Sequence, residues 1–253
     1  MSVRHWGHGD QPALLLHCTL AHAGSWAGLA RHLAEHLSMT APDLPAHGAG
    51  PAADPTGDFH DQATELAMAH LPDGPVHLIG HSFGATVALR LALDAPERVR
   101  SLTLFEPVLF CAADGPGRAA HDAAFAPHVD AMERGDTAAA ARVFLGIWGS
   151  ESFDDLPPSQ QAYVTDRIWI PKATEPTLVH DRADMLSRLP ELPVPTLVVE
   201  GAKSHPVVAE INTRLASDIP KATRHFINGA SHMAPITHPQ RGAEAIIQFH
   251  ETL

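Results

Sequence analysis

Cysteine is nearly absent from this chain of 253 residues, with only Cys18 and Cys111 present. Two thiols cannot build the disulfide framework of a small secreted scaffold. The first residues also lack the charged-then-apolar order of a signal peptide, so a cytoplasmic protein is expected. Positive charge is scarce as well: 17 Lys and Arg face 29 Asp and Glu, leaving a net charge of −12 at pH 7. That balance carries no footprint for an anionic polymer, and no nucleic-acid partner is expected. Long apolar runs are missing too, since even Ala13–Leu16 stops at His17. Nothing approaches the roughly 18 residues of a membrane span, and no membrane partner is expected. Internal repeats are absent, and the alanine run Ala138–Ala141 is simply good helix former.

What is present is an ordinary globular composition, 45% hydrophobic and 18% charged. At this length the chain can bury about 70 to 75% of its unfolded surface, so core size is not limiting. Nineteen histidines stand out. Their spacing contains no H-E-x-x-H, and pairs such as His5 with His8 or His17 with His22 lack cysteine or carboxylate company. No metal and no cofactor are expected. Most of these histidines are expected at the surface or in loops, titrating near neutrality.

The sharpest local signal is Gly80-His81-Ser82-Phe83-Gly84. Val76–Ile79 before it reads as a short buried strand, and Ala85–Ala95 after it reads as a helix that stops at Pro96. A serine between such elements sits on a strained turn, its hydroxyl held out and its backbone N–H at the positive end of a helix. The flanking glycines suit a place where strand and helix pass too closely for a Cβ. Ser82 is therefore the candidate nucleophile.

Around this motif, short apolar strands alternate with helical stretches, which argues for an α/β fold with a mostly parallel, doubly wound sheet. Strands are expected at Ala13–Leu16, Ser38–Ala41, Val76–Ile79, Leu102–Phe105, Thr196–Glu200 and Thr223–Ile227. Helices are expected near Ser25–Leu37, Phe59–His70, Phe83–Ala95, Val207–Ser217 and Pro239–His250. From Cys111 to about Arg188 the alternation stops. Alanine-rich helix there is interrupted by Gly115-Pro116-Gly117, Gly149, Pro157-Pro158, Pro171 and Pro176. The chain thus divides into a core of residues 1–110 and 189–253 and a helical cap of residues 111–188, leaving the carboxyl edge of the sheet where such folds bind ligands.

Four segments resemble the α/β-hydrolase superfamily, and the likeness covers almost the whole chain outside the insertion. Leu14-Leu15-Leu16-His17-Cys18-Thr19 is similar to the family's strand followed by His-Gly-x, with Cys18 in place of the glycine and Trp26 where an aromatic opens the next helix. Asp43-Leu44-Pro45-Ala46-His47-Gly48 is similar to its D-L-P-G-H-G turn, read as scaffold. The elbow is the third segment. The fourth, Asn228-Gly229-Ala230-Ser231-His232-Met233, resembles the loop that carries the catalytic histidine. The resemblance implies His232 as general base, and the backbone N–H groups of Phe83 and Thr19 as an oxyanion hole. The acid departs from the common pattern, because Gly201-Ala202-Lys203-Ser204 stands where the family usually has Gly-x-x-Asp. Some members place the acid after an earlier strand, which points to Glu106. The alternatives are that Glu106-Pro107 only shapes the entry to the cap, or that Glu200 is the acid.

On these assignments the expected activity is that of a serine hydrolase acting on a small-molecule acyl substrate, a carboxylic ester, thioester or lactone, through an acyl-enzyme. A serine nucleophile argues against dehalogenase and epoxide-hydrolase chemistry, since a serine ether is not resolved by attack at an acyl carbon. Two alternatives stay open: hydrolysis of a carbon–carbon bond in a diketone-like acid, and a receptor that has lost its chemistry. Substrate contacts are expected from the cap, with Phe110, Trp148 and Trp169 as the first candidates for an apolar wall and Phe125, Phe144, Phe153 and Tyr163 behind them.

Overall fold

A computed structural model describes residues 2–253. Seven strands form one sheet in the order β1-β3-β2-β4-β5-β6-β7: β1 (Val3–Trp6), β2 (Gln11–Leu16), β3 (Leu37–Pro42), β4 (Val76–His81), β5 (Val99–Phe105), β6 (Thr196–Gly201) and β7 (Ala222–Ile227). All neighbours are parallel except β1, which runs antiparallel to β3 at the edge. The expected doubly wound, mostly parallel architecture is therefore the observed one.

Strand periodicity divides the core. Leu14, Leu16, Leu78, Leu102 and Leu104 point into one apolar cluster, while Ala13, Leu15, Ile79 and Phe105 point into the other. Successive side chains on a strand alternate faces, so strands buried on both faces read as unbroken apolar runs. Helices α1 (Ala27–Leu33) and α11 (Pro239–His250) cover the second face. The first is covered by α2 (Phe59–Ala69), α3 (Phe83–Asp94) and α9 (Pro206–Asp218). Between β5 and β6 run α4 (Pro116–Glu133), α5 (Thr137–Trp148), α6 (Pro158–Thr165), α7 (Ile170–Leu178) and the single turn α8 (Met185–Arg188). This segment holds a small cluster of its own, built from Ala131, Ala140, Ala141, Phe153, Val164 and Ile168. The short α10 (Ala234–Thr237) follows β7.

Three sequence expectations are corrected. Strand β1 was not expected, because Arg4 and His5 within it are exposed and it carries no buried run. The helix expected at Ser25–Leu37 is a 3-10 turn at Ala23–Trp26 continued by α1, capped by the His22 side chain accepting from the Gly24 N–H. Pro171 and Pro176 do not interrupt α7: Pro171 lies in its first turn, where its missing N–H has no partner to lose, and the helix runs through Pro176.

Candidate active site

The carboxyl ends of β4 to β7 converge on one point. Ser82 follows β4 directly and has φ 56°, ψ −118°, a conformation that L residues rarely hold. Its N–H donates to the Phe105 carbonyl at 2.9 Å, which fastens the turn to the end of β5. A Cβ on Gly80 would lie 2.4 Å from the Gly84 carbonyl oxygen, and one on Gly84 would lie 2.2 Å from that of Leu16. Both contacts are with backbone, so the turn admits only glycine at these two places. The second contact also brings the start of α3 against the end of β2, and hence beside the His17–Thr19 loop.

Glu106 occupies the corresponding place after β5, also at positive φ (46°), with its N–H donating to the Val199 carbonyl of β6 at 3.0 Å. Its carboxylate Oε2 lies 2.8 Å from His232 Nδ1, and His232 Nε2 lies 2.9 Å from Ser82 Oγ. A carboxylate only accepts, so Nδ1 carries the proton and Nε2 is left to accept from the Ser82 hydroxyl. All three side chains are buried: Ser82 and His232 are each 5% exposed, Glu106 1%. The other carboxylate oxygen, Oε1, accepts the Gly201 N–H at 2.6 Å and the Ser204 hydroxyl. Ser204 thus bonds to the carboxylate and not to the imidazole. Glu200 faces elsewhere, accepting from Asn212 and Arg224.

The His17-Cys18-Thr19 loop is held by a neutral imidazole. His17 Nε2 accepts the Leu44 N–H at 3.0 Å, so Nδ1 carries the proton and donates to the Cys18 carbonyl at 2.9 Å. Across the planar Cys18–Thr19 peptide, the Thr19 N–H points the opposite way from that carbonyl. Phe83 opens α3, and its N–H has no acceptor within the helix. Burial pushes the Cys18 thiol up to about 12.

Of the three expected wall residues, Trp148 comes nearest His232, with ring centroids 4.7 Å apart. Phe110 stands behind it at 6.0 Å. Trp169 is 38% exposed and packs edge-on against Phe59, which in turn packs against Phe83.

Two features escaped the sequence. His81, inside the elbow motif, donates from Nε2 to the His232 carbonyl at 2.8 Å and so ties the elbow to the histidine loop. Burial, and then its neighbour His232, hold its imidazole well below the usual range, so it is a neutral donor. The second is the burial of His17, His47, His60, His77, His81, His121, His128 and His232, while the other eleven histidines are exposed or half-buried, so most lie at the surface as expected. Burial pushes His17 and His60 down to about 4 and His47 to about 3. Partners of His17 and His60, Leu44 and Thr86, lie far along the chain, so no local pattern announces them. Among the described residues no three His, Cys, Asp or Glu side chains are grouped to hold a metal ion, and no helix is long and apolar enough to cross a membrane.

A serine on a glycine-locked turn, at the carboxyl edge of a mostly parallel sheet with a helical segment inserted after β5, defines a hydrolase-type fold. The family model described as alpha/beta hydrolase fold matches residues 12–239, and the chain belongs to that family. It is 30% identical over 258 residues to a pimeloyl-[acyl-carrier protein] methyl ester esterase of Methylococcus capsulatus, covering 96% of this chain and 95% of that one. A protein of the same name from Aeromonas hydrophila is 31% identical over 266 residues, covering 98% of each. Among solved structures, the enol-lactonase from Burkholderia xenovorans LB400 superposes with a TM-score of 0.75 at 20% identity, covering 99% of this chain and 96% of that one; at that identity it speaks for the fold alone.

Proposed function

We propose that this protein is a carboxylic ester hydrolase in which Ser82 is the nucleophile, His232 the general base and Glu106 the acid that orients it. The observation that carries the reading is the unbroken hydrogen-bond chain from Glu106 Oε2 through His232 to Ser82 Oγ, with links of 2.8 and 2.9 Å. Ser82 attacks the ester carbon as His232 takes its proton, and the N–H groups of Phe83 and Thr19 receive the oxyanion. Glu106 holds the reactive tautomer and offsets the imidazolium charge. Water then resolves the acyl-enzyme. Residues 111–188 act as a cap over this site and, with Phe110, Trp148 and Trp169, supply its apolar wall. The receptor alternative drew only on Ser204 standing where a carboxylate was expected, and that support lapses with Glu106 on His232.

The relatives' names specify a carrier-bound substrate, but charge argues for a free small molecule here. Residues 111–188 contain seven Lys and Arg against twelve Asp and Glu. Five of the cations are paired, Arg118 with Asp122, Arg142 with Asp154, Lys172 with Glu175, Arg182 with Asp58 and Arg188 with Asp94. Arg167 binds the Ala46 carbonyl and lies over Tyr163, which leaves Arg134 alone among the described residues. A face that docks an acidic carrier needs more free positive charge than that.

The test is turnover of simple methyl esters together with labelling by a fluorophosphonate. Ser82→Ala and His232→Ala should each remove activity by on the order of 10⁴ to 10⁶, and the double variant should be scarcely worse than either. Substantial turnover in Ser82→Ala, or labelling at another residue, would overturn the assignment.

A further inference from the structure

We infer that Trp148 sets specificity on the alcohol side of the ester, admitting esters of small alcohols such as methanol and excluding bulky ones. The inference rests on the ester-hydrolase reading above. In acylation the bond from Ser82 Oγ to the acyl carbon forms and the bond from that carbon to the alkoxy oxygen breaks. The proton His232 took from Ser82 passes from Nε2 to that oxygen, which departs as a neutral alcohol. In deacylation water adds its hydroxyl to the acyl carbon through the same base, and the proton returns to Ser82 Oγ as the free acid leaves.

Proton transfer requires the leaving oxygen to come within about 2.6 to 3.2 Å of Nε2. Its substituent therefore has to lie alongside the imidazole, and whatever covers the imidazole limits its size. Trp148 covers it, with the indole 4.7 Å from the His232 ring centroid and tilted by 59°. The indole is itself only 5% exposed. It is held by rings from three separate segments: Phe110 after β5 at 6.0 Å, His121 of α4 at 5.5 Å, and His205 before α9 at 6.1 Å. Such a support leaves the indole little freedom to swing aside. The other aromatic group at the elbow, Phe59 with Phe83 and Trp169, makes no ring contact with His232 among the described residues, so the restriction falls on one half of the substrate.

Two ester series separate the halves: butanoates of methyl, ethyl, n-butyl and benzyl alcohol, and methyl esters of acids from acetate to octanoate. Measured as kcat/KM, both report acylation, the step in which the alcohol leaves. For the wild type, kcat/KM should fall by at least about 10-fold from methyl to n-butyl butanoate, within the range by which a packed apolar pocket discriminates. Trp148→Ala should narrow that ratio to within about 3-fold and leave the acyl series nearly parallel to wild type, with Trp148→Phe between the two. If Trp148→Ala does not fold, Trp148→Phe and Trp148→Leu decide by the same ratio. Equal wild-type rates for methyl and benzyl esters would overturn the inference, as would variants that alter the acyl series and not the alcohol series. Failure of the underlying reading looks different: the wild type would then turn over no ester in either series.

Discussion

Lowering the pH from 7 toward 5 should destabilise this protein through its buried histidines. His17, His47 and His60 each hold a neutral imidazole that the fold cannot charge. His17 Nε2 accepts the Leu44 N–H, so a second ring proton would break that bond. His47 donates from Nδ1 to the Pro45 carbonyl, and its buried Nε2 has no partner. His60 reaches Thr86 Oγ1 through Nε2 and faces the Arg90 guanidinium through Nδ1. Burial is the first cause of the depression in all three, which takes His17 and His60 to about 4 and His47 to about 3 from 6.5. The unfolded chain binds their protons below pH 6.5 and the folded chain does not, so stability is full above that pH and lost as pH falls toward the folded values. Each group removes about 1.4 kcal/mol per pH unit in that window, or about 4 kcal/mol per unit for the three together. By pH 5 the loss is on the order of 6 kcal/mol against a usual total of about 5 to 15. The melting temperature should therefore drop by roughly 10 to 20 °C between pH 6.5 and 5.0. Circular dichroism melts at constant ionic strength measure this directly. A melting temperature constant to within about 3 °C from pH 7 to 5 would refute the claim that these imidazoles are locked neutral.

Other outcomes follow from the proposed triad. Glu106→Gln should fold and label slowly with fluorophosphonate, losing roughly 10² to 10⁴ in turnover, because an amide leaves the imidazole free to take the wrong tautomer and cannot offset its charge; Glu200→Gln should lose far less, and the reverse order would transfer the acid's role to Glu200. His81→Phe keeps a ring but leaves the His232 carbonyl without its donor; thermal melts and steady-state kinetics should show about 1 to 3 kcal/mol of lost stability and a fall in kcat without a matching rise in KM, whereas an unchanged kcat would make His81 purely structural.

How much of this was readable in the sequence depended on whether the signal was local. Strands β2, β4, β5 and β6 announce themselves because burial on both faces favours near-continuous apolar runs, as in Leu14-Leu15-Leu16 and Leu197-Val198-Val199. Strand β1 has no such run, being an edge strand with Arg4 and His5 in water, and only its pairing with β3 makes it a strand. The elbow was legible for the same reason of locality: Gly80, Ser82 and Gly84 answer to contacts with the adjoining turn and strand. The buried histidines were not, because His17 needs Leu44, His60 needs Thr86 and His81 needs His232, each brought near only by the sheet. Phe110, Trp148 and Trp169 were alike in the sequence as cap aromatics, and only the turn that ends α5 puts Trp148 against His232.

The position of the acid shows what the imidazole demands of the fold. His232 needs one carboxylate oxygen on Nδ1 and does not register which strand supplies it. The carboxylate is more exacting, because an ionised group taken from water costs several kcal/mol unless its oxygens are satisfied. Glu106 meets both demands: its side chain crosses from the end of β5 to the loop after β6, where Oε2 takes the His232 proton donor and Oε1 takes the Gly201 N–H and the Ser204 hydroxyl. Ser204 is thus more than a residue left where an acid is usual; it is a donor to the carboxylate proposed in its place. A carboxylate at 204 beside an intact Glu106 would set two like charges close together beside one imidazole, a repulsive arrangement. The two positions are therefore alternatives, and a donor at 204 belongs with an acid at 106. The arrangement also carries backbone strain, since Ser82 and Glu106 both sit at positive φ, at about 1 to 3 kcal/mol each. That strain is held in place by the bonds from Ser82 N–H to Phe105 and from Glu106 N–H to Val199, which fix the proposed nucleophile and acid on adjacent strand ends with the His232 ring between them.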